Sequence, residues 1–127
     1  TAIGGVIHSL KERYRGIPLS VLFEPASASL RRQEMTDALI HSLSPADRLW
    51  FREIDGKKKL APGKGLDADR VVRELRKRGM EVRRFATYQE MREKLQAMDT
   101  TDPGIVLLIS NGAFGGLPDF VRYRLFQ

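Results

Sequence analysis

Apolar residues in this chain change their period several times, and each change marks a new element. Ile3, Val6, Ile7 and Leu10 recur at helical spacing and predict an amphipathic helix ending near Gly16. Pro18 then precedes Leu19-Ser20-Val21-Leu22-Phe23, a short buried strand. From Ser29 to Leu43 the positions Met35, Ala38, Leu39 and Leu43 return to helical spacing, and Ser44-Pro45 ends that helix. Leu49-Trp50-Phe51, extended to Ile54, reads as a second strand, and the polar, glycine-rich run GKKKLAPGKGLD after it reads as a loop.

The second half repeats the alternation. Asp67 is placed to cap a helix whose core face is Val71, Val72 and Leu75, with Gly79 closing it. Arg76, Lys77 and Arg78 suit the negative end of its dipole. Glu81 to Phe85 is a third strand. Thr87 and Glu90 then have capping-box spacing before a helix carrying Tyr88, Met91, Leu95 and Met98. Asp102-Pro103-Gly104 turns the chain into a strand from Ile105 to Ile109, and Pro118 suits the first turn of a terminal helix bearing Val121 and Leu125. Strands that alternate with helices pair in parallel through right-handed crossovers. The expected fold is therefore α/β, a Rossmann-like three-layer sandwich with a mostly parallel sheet of about four to six strands flanked by helices.

Composition narrows the rest. At 127 residues and 42% hydrophobic content, the whole of 1–127 is expected to form one domain. Cysteine is absent, so disulfides and thiolate chemistry are excluded. His8 and His41 fall in helical patterns without ligand-like spacing and read as surface or half-buried helix residues rather than metal ligands or bases, so no metal site is expected. No stretch is apolar enough to cross a bilayer and no signal-peptide pattern opens the sequence, which leads us to expect a cytoplasmic protein without a membrane partner. The net charge of +6 is concentrated in Lys57-Lys58-Lys59 with Lys64, in Arg70 to Arg78, and in Arg83-Arg84. Such clusters attract phosphates, but no nucleic-acid recognition element accompanies them, so no nucleic-acid partner is expected.

Ligands of open parallel sheets bind beyond the carboxyl ends of the strands, and two segments expected there are unusual. In FEPASASLRR, Glu24 closes a strand, Ser27 and Ser29 supply hydroxyls, and Arg31 and Arg32 stand in the next helix's first turns. That arrangement suits a phosphate or carboxylate, although spacing alone favours an ordinary strand–helix loop with serine caps. In SNGAFGG, Ser110 and Asn111 end a strand, and Gly112, Gly115 and Gly116 let a ligand approach the main chain. Phe114 between them is either a core plug or a lid. The dinucleotide fingerprint is not met. A Gly-x-x-x-x-Gly-Lys-[Ser/Thr] loop would need glycine at Lys58 and a hydroxyl residue at Gly65, so Gly63-Lys64 is not a P-loop.

Together the two segments resemble the C-terminal domain of the Mur ligases, above all the muropeptide-recycling branch. That domain's first strand ends in Glu-Pro-Arg-Ser-Asn and its last runs into Ser-Asn-Gly-Gly-Phe-Gly-Gly. Here they read Glu24-Pro25-Ala26-Ser27-Ala28 and Ser110-Asn111-Gly112-Ala113-Phe114-Gly115-Gly116. Thr1-Ala2-Ile3 resembles the residues that follow the family's His-His-Pro segment. Ala26 and Ala28 replace the family's arginine and asparagine, and the stretch from Leu117 to Gln127 diverges.

The resemblance implies the C-terminal domain of a larger three-domain, ATP-dependent ligase of bacterial peptidoglycan recycling. It would join L-Ala-γ-D-Glu-meso-diaminopimelate to UDP-N-acetylmuramate. ATP and Mg2+ would be held mainly by a central domain. The present chain would position the incoming peptide amine and close over the acyl-phosphate site, and alone it would be inactive, with no catalytic residue of its own. By this resemblance Ser110, Asn111, Gly112, Phe114 and Gly115 contact the peptide, and Glu24, Ser27, Arg31 and Arg32 face the nucleotide or acyl phosphate. Its partners would be UDP-N-acetylmuramate, the muropeptide and the upstream ligase domains. The alternative is a non-catalytic Rossmann-like module that binds a nucleotide or peptide.

Overall fold

A computed structural model of the chain describes residues 2–25, 33–53, 66–98 and 104–109. Helices and strands alternate from the start: α1 (Ala2–Arg13), β1 (Leu19–Phe23), α2 (Gln33–Leu43), β2 (Arg48–Arg52), α3 (Ala68–Lys77), β3 (Glu81–Phe85), α4 (Tyr88–Ala97) and β4 (Ile105–Ile109). The strands form one all-parallel sheet in the order β3-β2-β1-β4. This is the expected α/β sandwich, at the lower end of the expected strand number among the described residues. Three strands have the bounds expected of them. The second does not: β2 begins at Arg48 and ends at Arg52, because Arg48 pairs with Glu81 and Arg52 with Phe85. Ile54, and the stretch after Pro118 in which a terminal helix is expected, lie outside the described residues.

The direction of each crossover decides which face its helix covers. A right-handed crossover moving one way along a sheet lays its helix on one face, and one moving back lays it on the other. The chain steps outward from β1 to β2 to β3, then returns past β1 to place β4 on the far side. Accordingly α1, α2 and α3 cover one face, where Ile7, Leu39, Leu43, Val71, Val72 and Leu75 pack on Val21, Phe23, Leu49, Phe51 and Val82. On the opposite face α4 lies over Leu22, Trp50 and Phe85 through Met91 and Leu95. Phe23 and Phe51 pack tilted at 5.8 Å between ring centroids on the first face, and Trp50 and Phe85 at 5.2 Å on the second. Paired on both edges and covered on both faces, β1 is buried at every residue.

Caps fix where the helices begin and stop. The Asp67 carboxylate accepts from the Arg70 N–H at 3.0 Å, and the Asp67 N–H donates to the buried Thr36 hydroxyl at 3.2 Å, which ties α3 to α2. At the other end of α3, the Met80 N–H donates to Leu75 C=O and the Gly79 N–H to Arg76 C=O. This is a Schellman closure, and it needs the positive φ of +88° that Gly79 adopts. On α4 the Thr87 hydroxyl accepts from the Glu90 N–H at 3.1 Å, as capping-box spacing predicts. The return bond differs: Glu90 Oε2 accepts from Ala86 N–H, one residue ahead of the cap. His8 and His41 are exposed, in keeping with the surface or half-buried places expected of them. Val6 is a departure. It shares the helical spacing of Ile3, Ile7 and Leu10, yet it is 46% exposed at the margin of the α1 stripe.

At the amino-terminal edge of the sheet, Asp47 stands in for a missing strand residue. Its Oδ2 accepts from Leu19 N–H at 2.7 Å and from Lys11 Nζ at 2.8 Å, and its own N–H donates to Leu19 C=O at 2.9 Å. Partial burial alone would raise the carboxyl. The bonds from Lys11 and Leu19, with the charges of Lys11 and Arg48, outweigh it and hold Asp47 below its ordinary value.

Candidate functional site at the carboxyl rim

The strand order reverses between β1 and β4, and in an open parallel sheet the crevice outside such a reversal is the usual ligand position. Leu19 to Phe23 run in register with Ile105 to Ile109, so both strands finish at the same height. One further bond continues the ladder past its end: Glu24 N–H donates to Ile109 C=O at 3.0 Å. The points from which the two segments singled out in the sequence begin, Glu24 and Ile109, therefore stand side by side. Of the candidate residues, Glu24 is described, and it is half-buried at this rim. Ser27, Arg31, Arg32, Ser110, Asn111, Gly112, Phe114 and Gly115 lie outside the described residues.

Around Glu24 the rim holds groups that the sequence pattern did not single out. The Tyr88 hydroxyl, from the first turn of α4, donates to Glu24 Oε2. The Arg52 guanidinium, at the end of β2, lies over the Tyr88 ring at 4.6 Å from its centroid, a cation–π distance. Arg52 Nη1 also donates to Glu53 C=O at 2.7 Å, while its Nε is buried without a hydrogen-bond acceptor. In sequence, Tyr88 reads as one more apolar position of a helix face, and Arg52 as a polar residue inside a strand. The available signal was a charged residue closing an apolar strand at the rim where ligands sit.

A second arginine closes the rim on the far side of β2. Arg84 Nε and Nη2 grip the two carboxylate oxygens of Glu53, the latter at 2.9 Å, and Nη1 reaches Asp69 at 2.6 Å. The Glu53 carboxylate, helped by Asp69, outweighs partial burial and raises the guanidinium above its ordinary value. With the Glu53 N–H donating to Phe85 C=O at 2.8 Å, this clamp fixes the ends of β2 and β3 to the start of α3.

No protein-family model and no curated protein sequence matches the chain. Solved structures do. A domain assigned to a UDP-N-acetylmuramate:L-alanyl-γ-D-glutamyl-meso-diaminopimelate ligase of Haemophilus ducreyi superposes with a TM-score of 0.65 at 19% identity, over 98% of this chain and 81% of that one. A murein peptide ligase from Psychrobacter arcticus superposes with a TM-score of 0.71 at 16% identity, again over 98% of this chain. The fold is that of a Mur ligase domain. The chain spans 25% of the length of the Psychrobacter ligase, so what it shares with that protein is one part of a longer molecule. At these identities the likeness is one of fold. Among the described residues no helix is long and apolar enough to cross a membrane.

Proposed function

We propose that this chain is the C-terminal, substrate-binding domain of an ATP-dependent peptide ligase that joins L-Ala-γ-D-Glu-meso-diaminopimelate to UDP-N-acetylmuramate in the cytoplasm. The observation that carries the reading is the junction of β1 and β4 at the strand-order reversal, held by the Glu24 N–H to Ile109 C=O bond. From it depart the two segments whose sequences resemble the family's. The fold shared with two ligases of this class supports it further.

In this reading the domain's contribution is positional. Bound ATP with Mg2+, held by a central domain, supplies the phosphoryl group that activates the sugar carboxylate. The present chain holds the peptide along Ser110 to Gly116 and presents its amine. Glu24, Ser27, Arg31 and Arg32 face the nucleotide or acyl phosphate. Closure of the rim over that site keeps out water, which competes with the amine for the activated carboxylate.

The test is a ligation assay on the full-length gene product and on residues 1–127 alone. ADP release that requires both UDP-N-acetylmuramate and the tripeptide, with the joined product found by mass spectrometry, is expected of the full-length protein. The 127 residues alone are expected to give none. Turnover by the fragment would overturn the reading, and so would a full-length protein that binds both substrates without joining them.

A further inference from the structure

Several arginines among the described residues are held in ion pairs. Arg84 is paired with Glu53 and Asp69, Arg70 with Asp37, and Arg48 and Arg83 with Glu81. Arg52 forms no ion pair among the described residues. Its hydrogen-bond acceptor there is one main-chain oxygen, that of Glu53, and its Nε–H is shielded from solvent with no acceptor. A cation in such a position has donors to spare, and water does not satisfy the innermost of them.

Its surroundings hold it still. The guanidinium lies on the Tyr88 ring, and that ring is tethered at its far end by the hydroxyl bond to Glu24. Tyr88 in turn opens α4, which the Thr87 and Glu90 caps fix. Arg52 follows Phe51, which pairs with Phe23, so it leaves the sheet beside Glu24 and next to the β1–β4 reversal. A planar, fixed guanidinium with free donors is the side chain best matched to a two-oxygen anion.

We infer that Arg52 is an oxyanion-binding residue of this rim, taking a phosphoryl or carboxylate group on its uncommitted donors while Tyr88 sets its plane. Which anion it meets rests on the ligase reading: a phosphoryl oxygen on the nucleotide side, or a carboxylate of the peptide.

The test titrates the 127-residue chain separately with inorganic pyrophosphate and with succinate, following the Arg52 Nε–H resonance by NMR and affinity by calorimetry. At least one anion is expected to shift that resonance. Arg52→Gln is expected to weaken binding by about tenfold or more, and Arg52→Lys, which keeps the charge but loses the fork, by less. Tyr88→Leu removes the platform and leaves the guanidinium, so it should weaken binding without abolishing it. A stronger response to pyrophosphate assigns the phosphoryl group, and a stronger response to succinate the carboxylate. Thermal unfolding of each variant separates lost binding from lost fold. The inference is overturned if neither anion moves the Arg52 signal, or if folded Arg52→Gln binds as well as the parent chain. Failed ligation by the full-length protein, with anion binding at Arg52 intact, would remove the ligase reading and leave this one standing.

Discussion

Arg84 offers the sharpest test of what holds the rim in place. Replacing it with Met keeps the aliphatic stem and removes the fork that joins β2, β3 and α3. The side chains of Arg84 and Glu53 are 32% and 27% exposed, whereas Asp69 is 77% exposed. The Asp69 contact is therefore screened like any surface pair and contributes at most a few tenths of a kcal/mol, about 0.3. The fork to Glu53 is bidentate and partly shielded, which places it at the upper end for exposed pairs, about 1–1.5 kcal/mol. Arg84→Met should then destabilise by about 1–2 kcal/mol, or roughly 3–10 °C in melting temperature for a domain of this size. A double-mutant cycle with Glu53→Gln, read by urea unfolding, should recover a coupling of about 1 kcal/mol. In about 1 M salt, where the screening length is about 3 Å, the coupling should shrink by less than half, because contact-distance, part-buried bonds are poorly screened. A coupling indistinguishable from zero at low salt would refute the reasoning, since the clamp would then be geometry without energy. Because Glu53 also supplies the main-chain acceptor of Arg52, the Arg52 Nε–H resonance should broaden in Arg84→Met.

Three further perturbations test other parts of the frame. Met91 is fully buried under α4, so Met91→Ala should cost about 2–4 kcal/mol by calorimetry and loosen Tyr88 along with the helix. Gly79→Ala forces a side chain onto a φ of +88° in the closure of α3 and should cost about 1–2 kcal/mol by urea unfolding, although there is open space around the site. Asp47 has a folded pKa below its unfolded value, so its contribution is complete above the ordinary carboxylate pKa of 3.8 and is lost as pH falls through the lower, folded value. Asp47→Asn should flatten the acid unfolding curve below about pH 4, and an unchanged acid slope would count against the role given to Asp47.

Much of the frame was legible because its periods are clean. Leu19–Phe23, Glu81–Phe85 and Ile105–Ile109 stand where the apolar runs put them, and the Asp67 and Thr87 caps act through the bonds their positions imply. The bounds of β2 were not, since periodicity scores Arg48 and Arg52 as polar while partners on β3 extend the ladder to both. Glu24 could be placed at the rim because strand ends and ligand crevices follow from topology. The contact between Glu24 and Tyr88 could not. It joins residues 64 positions apart, and it exists because the crossover through α4 turns back across the sheet on the opposite face from α2 and α3. The orphaned Arg52 donor is likewise invisible in sequence, since burial and partners are properties of the assembled rim.

The pairing of β1 with β4 has a consequence for how the molecule comes together. It joins the second element of the chain to the last described one, Leu19 to Ile105. Until β4 docks, β1 is an edge: five residues whose burial depends on the missing neighbour, with open main-chain groups along one side. Closing so long a loop is slow, and an uncovered apolar edge is a template for pairing with another chain. During synthesis, the strands on the β2 side can pair well before β4 has emerged, leaving that edge exposed in the interval. The crevice between β1 and β4 has no second wall until then, so it is completed at the end of folding, and chains stalled before Ile105 should be prone to self-association.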